Sequence, residues 1–303
     1  MKLLITDICE LSPEERAWLE ARGLEVIECE DEAPYPGDPS EIDIVACKML
    51  FSYTPIERFT SLKYIQLFMA GFEHIPMDYI ASHGIEFHNA RDVYSIPIAE
   101  FGIGGVLALY KDFRRFDRQQ RGRVWEYERH LRELTRKTVL IVGAGSIGTE
   151  FAKRFQAFGC RVIGLARSAG ERPYYDEVRS MDKLDDSLPE SDIIVMCLPN
   201  NAETRHIMGK EQFAEVKPGA VFVNIARGAL VDEPALTEAL ADGRLSGAVL
   251  DVFETEPLPQ DSPLWAMDNV IAAPHTSFGA EYNQDRLFEV MNRNLEASAL
   301  LAE

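Results

Sequence analysis

Short runs of aliphatic and β-branched residues recur along the first third of the chain, separated by longer stretches of mixed polarity. The runs lie at 2–6, 25–28, 42–46, 63–67 and 84–87. The stretch after the first run begins with a Ser12 N-cap and Pro13 and reaches Gly23, a pattern that predicts a helix. Strands that alternate with helices are typical of a parallel α/β layer.

The same alternation begins again in the second half of the chain. Its apolar runs lie at 138–142, 161–165, 192–198, 220–225, 248–252 and 270–273. Between the two series, 97–110 is apolar without strand alternation, which predicts a buried helix, and 111–136 is rich in charge. A length of 303 residues favours two domains, and we place their junction in this segment.

Composition narrows the range of partners and compartments. Lys and Arg number 31 against 50 Asp and Glu, and a net charge of -19 argues against nucleic acid. The apolar run 101–110 is too short to cross a bilayer, and the run before Asp7 is too short for a signal peptide, so we expect no membrane and a cytoplasmic protein. Five cysteines without a C-x-x-C pair predict free thiols.

A glycine-rich turn follows the 138–142 run at once. Gly143, Gly145 and Gly148 form G-x-G-x-x-G between a predicted strand and a predicted helix. In a dinucleotide site the first glycine makes the turn, the second admits a pyrophosphate, and the third packs helix on strand. A tight turn without a ligand is the alternative. The phenylalanines of the following helix, at 151, 155 and 158, predict a stripe in the core.

The next predicted strand ends without a carboxylate. An Asp or Glu at this position would favour NAD by binding the ribose 2′-hydroxyl, but the sequence here is Ala166-Arg167-Ser168. A guanidinium and a hydroxyl can hold a 2′-phosphate, so we predict that Arg167 and Ser168 bind NADP in preference to NAD. A solvated surface arginine is the alternative.

Three later segments follow predicted strands and carry candidate chemistry. They contribute Arg227, Glu256 and His275, at the carboxyl ends where open α/β sheets place their sites. Each also has an ordinary explanation: a surface ion pair, a solvated acid and a hydrogen-bonded histidine.

The segments 143–148, 224–232, 251–259 and 274–275 occur in the order found in D-isomer-specific 2-hydroxyacid dehydrogenases, and the chain resembles that family from end to end. The resemblance implies an α/β fold of two Rossmann-like domains with parallel sheets. The cofactor domain, at 99–276, is inserted into a discontinuous substrate domain at 1–98 and 277–303. It also implies reversible reduction of a 2-oxoacid to a D-2-hydroxyacid with no metal.

The resemblance assigns roles to individual residues. Arg227 would bind the 2-oxoacid and polarise its keto oxygen, His275 would be the general acid and base, and Glu256 would orient the imidazole. Ala70 and Gly71 would offer backbone N–H groups to the substrate carboxylate. Further cofactor contacts would come from the helix start and from four later positions: Ser146, Ile147, Pro199, Thr204, Ala226 and Asp251.

The basic segment 114–136, which contains Trp125, falls where the family has its dimerisation helices, and this implies a homodimer. A dinucleotide-binding regulator or corepressor of the same fold is the alternative to the enzyme. Because Arg227, Glu256 and His275 are all present, we favour the enzyme.

Overall fold

The computed structural model describes residues 1–72 and 74–301 as a succession of strands and helices. The strands are β1 Lys2–Thr6, β2 Glu25–Cys29, β3 Ile44–Cys47, β4 Tyr64–Leu67, β5 Glu86–His88, β6 Thr138–Val142, β7 Arg161–Ala166, β8 Glu177–Ser180, β9 Ile193–Met196, β10 Ala220–Asn224, β11 Leu245–Leu250 and β12 Val270–Ala272. The α-helices are α1 Pro13–Glu20, α2 Leu50–Tyr53, α3 Met77–Ser82, α4 Ser95–Tyr110, α5 Phe113–Gly122, α6 Ser146–Ala157, α7 Leu184–Ser187, α8 Lys210–Glu215, α9 Glu233–Ala241 and α10 Asn283–Ala297.

The first unit of the fold comprises Met1–Tyr94 and Ala280–Glu303. Its five parallel strands lie in the order β2-β1-β3-β4-β5. Successive residues of β1 are fully buried, as expected for a strand covered on both faces. On one face, α10 packs Leu287 and Met291 against the strands, so both ends of the chain build one core.

The second unit is the continuous segment Ser95–Gly279. Its seven parallel strands lie in the order β12-β11-β10-β9-β6-β7-β8. The chain leaves β6 in one direction for β7 and β8 and continues on the other side with β9, so the order reverses between β6 and β9. Ligands of open α/β sheets bind outside the carboxyl ends of the strands at such a point.

The predicted fold class is confirmed, with local differences. The units divide between Tyr94 and Ser95 rather than between 98 and 99, because α4 lies wholly in the second unit. Strand β8 was not predicted, since Glu-Val-Arg-Ser buries only Val178 at the edge of the sheet. The phenylalanine stripe of α6 is buried at Phe151 and Phe155, but Phe158, at the C-cap, is 43% exposed.

Two further expectations concern thiols and membranes. All five cysteines are free thiols; Cys9, Cys47 and Cys160 are buried, and the other two are half-buried. None of the helices in the described part of the chain combines the length and apolar character needed to cross a bilayer.

Candidate active site

The carboxyl edge of the seven-stranded sheet carries most of the predicted site residues. The loops after β6, β7, β9, β10, β11 and β12 carry Gly143, Arg167, Pro199, Arg227, Asp251 and His275 respectively. Since parallel strands all end at the same edge, one fold feature brings these separate segments to one side of the sheet.

The glycine turn has the backbone that its sequence predicts. Gly143 has φ +113°, and a Cβ there would lie 2.6 Å from the Cys197 carbonyl oxygen. A Cβ at Gly148 would lie 2.3 Å from the Gly143 carbonyl oxygen. Gly143 and Gly148 therefore cannot carry side chains without moving the turn or the first turn of α6.

Gly145 differs from Gly143 and Gly148, the other two glycines of the motif, because it has open space beside it. No heavy atom lies within 4 Å of the position of a Cβ at Gly145, which is exposed and is the N-cap of α6 without a side-chain cap. The first N–H groups of a helix have no acceptor within the helix, and Ser146 and Ile147 supply two of them. An open glycine beside uncapped helix amides fits a dinucleotide pyrophosphate.

The residues at the end of β7 are predicted to contact the adenosine ribose of the cofactor. Ala166 is buried, whereas Arg167 and Ser168 are exposed. Within residues 1–72 and 74–301, no group forms an ion pair or hydrogen bond with the side chain of Arg167. A second arginine, Arg172, donates from Nη1 to the carbonyl oxygen of Ala144 inside the turn. No local pattern predicts that contact, because it joins the turn after β6 to the loop after β7.

The loop after β9 is organised by a threonine. Thr204 Oγ1 donates to the Pro199 carbonyl oxygen at 2.7 Å and accepts from the Asn201 N–H at 2.9 Å. The predicted cofactor contacts Pro199 and Thr204 are thus joined to each other. Thr204 Oγ1 uses its one hydroxyl proton within the loop, so toward a ligand it offers an acceptor.

Arg227 follows β10 on a loop held by a buried asparagine. Asn224 Oδ1 accepts from the Ala226 N–H at 3.2 Å, and its Nδ2 donates to the Arg227 carbonyl oxygen at 3.0 Å. Arg227 is half-buried and donates from Nη1 to the Ala226 carbonyl oxygen at 2.7 Å. Gly228 lies so close to Phe253 that a Cβ would be 1.9 Å from its carbonyl carbon. The arginine loop and the loop after β11 therefore pack in backbone contact.

A histidine and a carboxylate meet at the ends of the last two strands. His275 Nδ1 and Glu256 Oε2 are 2.8 Å apart, and the other oxygen, Oε1, accepts from the Phe253 N–H at 3.0 Å. The His275 side chain is 43% exposed. With Nδ1 bonded to the carboxylate, Nε2 is the nitrogen left for proton exchange with a ligand.

The backbone of His275 is unusual, and a buried carboxylate lies beneath it. Residue 275 has φ +49°, which non-glycine residues rarely adopt. Asp251 is 1% exposed; its two carboxylate oxygens accept from the N–H groups of Thr276 at 2.8 Å and Ser277 at 3.0 Å. Its carbonyl oxygen accepts from the His275 N–H at 2.8 Å. Asp251 thus holds the segment that carries the histidine, and its predicted contact with the cofactor stays a prediction.

Ala70 and Gly71 lie in the first unit, in the loop that follows β4. The Ala70 carbonyl oxygen accepts from Asn89 Nδ2 at 2.7 Å, and the Met69 carbonyl oxygen accepts from the Ala90 N–H at 2.9 Å. No described residue accepts a hydrogen bond from the N–H of Ala70 or Gly71. Among the described residues these two donors have no acceptor, and their predicted role stays a prediction.

Comparison with known proteins decides the family. The model of the D-isomer specific 2-hydroxyacid dehydrogenase NAD binding domain matches residues 103–277, more than half of the chain. The chain belongs to the D-isomer specific 2-hydroxyacid dehydrogenase family. The predicted family is therefore confirmed, and with it the prediction that the protein is an enzyme that uses a nicotinamide dinucleotide.

Individual relatives agree with this membership. The chain is 37% identical to the D-3-phosphoglycerate dehydrogenase of Methanocaldococcus jannaschii. The match covers 76% of this chain but only 44% of the length of that relative. It is 34% identical to the glyoxylate reductase of Thermofilum pendens, over 78% of this chain and 72% of the relative.

A solved structure extends the likeness to both units. The Xanthobacter autotrophicus family member in complex with NADPH and MES is 30% identical and matches with a TM-score of 0.77. The match covers 98% of this chain and 95% of that one.

Proposed function

We propose that this dehydrogenase reversibly reduces a 2-oxoacid to a D-2-hydroxyacid, with NADPH as its preferred reductant. The observation that carries the proposal is the 2.8 Å contact between His275 Nδ1 and Glu256 Oε2, at the sheet edge that also carries Arg227. A bound nicotinamide dinucleotide supplies the hydride. The chain's own residues bind the acid, orient it and deliver the proton.

Arg227 is the cation of the proposed site. Reduction of a keto group places negative charge on its oxygen, and a guanidinium both neutralises that charge and donates paired hydrogen bonds to a carboxylate. The bond from Nη1 to the Ala226 carbonyl oxygen fixes the direction of the side chain before substrate arrives. We also propose that Ala70 and Gly71 bind the substrate carboxylate through their N–H groups.

His275 is the proposed proton donor in reduction and the acceptor in oxidation. Glu256 accepts the hydrogen bond from Nδ1–H, which leaves Nε2–H as the proposed acid. The Phe253 N–H holds the other carboxylate oxygen, which limits rotation of Glu256. The pair then delivers one proton to the developing alkoxide in each turnover.

Substitution of His275 tests the proposed role. His275→Ala removes the proton donor, so kcat for reduction should fall by roughly 10²- to 10⁴-fold. Binding of NADPH, measured by fluorescence titration, should be retained. Loss of less than threefold in kcat with every 2-oxoacid tested would exclude His275 as the acid. If the wild-type chain consumed neither NADPH nor NADH with pyruvate, glyoxylate, hydroxypyruvate or phenylpyruvate, the proposed reduction of these 2-oxoacids would be wrong.

The preference for NADPH rests on the end of β7. Arg167 and Ser168 are exposed beside the buried Ala166, and no carboxylate stands there to repel a 2′-phosphate. Arg167→Ala should weaken NADPH by roughly 10- to 100-fold and leave NADH within about threefold. A wild-type enzyme that binds NADH more tightly than NADPH would contradict the preference.

We further propose that the enzyme is a homodimer that joins through the region around α5. Four large apolar side chains stand exposed there: Phe113, Val124, Trp125 and Tyr127, with Trp125 88% exposed. Large apolar side chains exposed to this extent favour a partner surface over water. Sedimentation should give a dimer at micromolar concentration, and Trp125→Glu should shift it toward monomer. A wild-type monomer would contradict the proposal.

A further inference from the structure

Arg172 is a half-buried cation without a carboxylate partner in the described chain. Its Nη1 donates to the carbonyl oxygen of Ala144, which uses one of the five N–H donors of a guanidinium. Lys and Arg side chains are seldom buried without an anion, because desolvation of the charge is costly. The nearest acid in sequence, Glu171, is exposed and forms no ion pair with Arg172 among the described residues.

The position of Arg172 is set by the packing of the loop after β7. The Ala144 N–H donates to the Leu165 carbonyl oxygen at 2.9 Å, which joins the glycine turn to the end of β7. Tyr175 packs in one apolar cluster with Ala144 and Ala166. Its ring also lies beside Gly164, because a Cβ at Gly164 would be only 2.7 Å from Tyr175 Cε1. The loop therefore returns to the turn and holds the guanidinium of Arg172 beside it.

The chemistry of that position indicates what the cation binds. In a dinucleotide-binding sheet, the 2′ position of the adenosine ribose lies beside the end of the second strand, here β7. A phosphate there presents three oxygens, and two guanidinium groups can share them through paired hydrogen bonds. Arg167 follows β7 directly, and the Ala144 carbonyl holds Arg172 at the turn that β7 touches.

We propose that Arg172 is a second ligand of the cofactor 2′-phosphate, acting beside Arg167, and that it determines specificity for NADP. The inference rests on the proposed preference for NADPH. It adds Arg172, which lies further along the loop, to Arg167 and Ser168, which follow β7 directly. Because the Ala144 carbonyl orients the side chain before the ligand arrives, less rotamer entropy is lost on binding.

A purely structural role for Arg172, as a tie between the loop and the turn, makes a different prediction. Loss of a tie would disturb the whole adenosine side of the site and weaken every adenine nucleotide. Loss of a phosphate ligand would weaken only nucleotides that carry the 2′-phosphate. The probes 2′,5′-ADP and 5′-AMP differ only in that group and need no catalysis.

The test is calorimetric titration of both probes into the full chain. Arg172→Ala should weaken 2′,5′-ADP by about 10- to 100-fold and change 5′-AMP by less than about threefold. Arg172→Lys, which keeps the charge without the fork, should give an intermediate loss and serves if the alanine variant unfolds. Arg161→Ala is the matched control: Arg161 begins the same strand at the opposite edge and pairs with Glu177 and Glu190, so neither probe should change.

Each other outcome has a defined meaning. Equal weakening of both probes by Arg172→Ala would make Arg172 a structural tie and overturn the inference. Loss of 2′,5′-ADP binding in Arg167→Ala but not in Arg172→Ala would also overturn it, while the preference for NADPH would stand. A wild-type chain that binds 5′-AMP as tightly as 2′,5′-ADP would overturn both the preference and the role of Arg172.

Discussion

His275 depends on two carboxylates that act on different parts of it. Glu256 bonds the imidazole at Nδ1, whereas Asp251 bonds the backbone N–H groups that follow the histidine. The first contact directs the ring, and the second maintains a backbone with positive φ that otherwise costs free energy. The orientation of the proposed acid is therefore a property of three residues.

Substitution of Glu256 separates its charge from its shape. Glu256→Gln keeps the shape of the side chain but removes the negative charge at 2.8 Å from His275 Nδ1, so kcat for reduction should fall by roughly 10-fold or more. The matched control is Glu254→Gln, on the same loop, because Glu254 pairs with His206 instead. The measurement is kcat of both variants with one 2-oxoacid, together with NADPH affinity by titration. A wild-type kcat in Glu256→Gln would exclude the pair as a proton-donating unit.

Substitution of Arg227 separates charge from geometry in the same way. Arg227→Lys keeps a cation but loses the planar fork, so KM for the 2-oxoacid should rise and kcat should fall. We expect kcat/KM to drop by about 10²-fold or more, as when one donor to a developing oxyanion is removed. NADPH affinity measured by titration serves as the control. A lysine variant with wild-type kcat/KM would show that the paired hydrogen bonds are unnecessary.

The two edges of the seven-stranded sheet have different roles. The carboxyl edge carries the proposed chemistry, whereas the amino edge is held by Asp192, which precedes β9. Its Oδ2 accepts from the Thr138 N–H at 3.0 Å, and its Oδ1 lies 2.8 Å from Lys217 Nζ. Burial alone would raise the pKa of Asp192, but these partners lower it below its ordinary value.

The lowered pKa makes Asp192 a source of acid sensitivity. A carboxyl whose folded pKa is depressed contributes stability above its unfolded value near 3.8 and loses that contribution as pH falls through the folded value. Asp192→Asn should therefore reduce the free energy of unfolding at pH 7 by about 1–3 kcal/mol, and by less near pH 2. Urea denaturation at both pH values measures this difference. Asp186→Asn, in an exposed pair with Lys183, should change it by under about 0.5 kcal/mol.

The two units are built from the chain in different ways. The second unit is continuous and contains its whole apolar core between α4 and β12. The first unit needs both chain ends, because α10 contributes Leu287 and Met291 to the core of a sheet made by the first 94 residues. Folding of the first unit therefore requires a contact between distant parts of the sequence.

This difference predicts how fragments behave. Residues 95–279 expressed alone should unfold cooperatively on heating, since no element of their core is missing. Residues 1–94 alone should not, because one face of their sheet loses α10. Circular dichroism against temperature measures both, with a fusion of 1–94 to 280–303 as the control that restores the helix. Cooperative unfolding of 1–94 by itself would contradict the role given to α10.

Local patterns in the sequence determined the strand, turn and helix around Gly143 to Gly148. Strand propensity, glycine spacing and helix periodicity act within a few residues, so they can be read without knowing the rest of the fold. The same holds for the apolar helix α4, although its start at Ser95 became clear only in the structure. The edge strand β8 was not predicted, because only Val178 is buried and the segment therefore has almost no apolar pattern.

Contacts between strand ends were decided by the tertiary structure. Glu256 and His275 are 19 positions apart, and Arg172 and Ala144 are 28 apart. Such pairs meet only because β11 adjoins β12 and β6 adjoins β7 in the sheet. Strand order is a global property set by packing both faces of the sheet, so no local window of sequence contains it. The chemistry of these residues could be predicted from their types and positions after strands, whereas their hydrogen bonds required the fold.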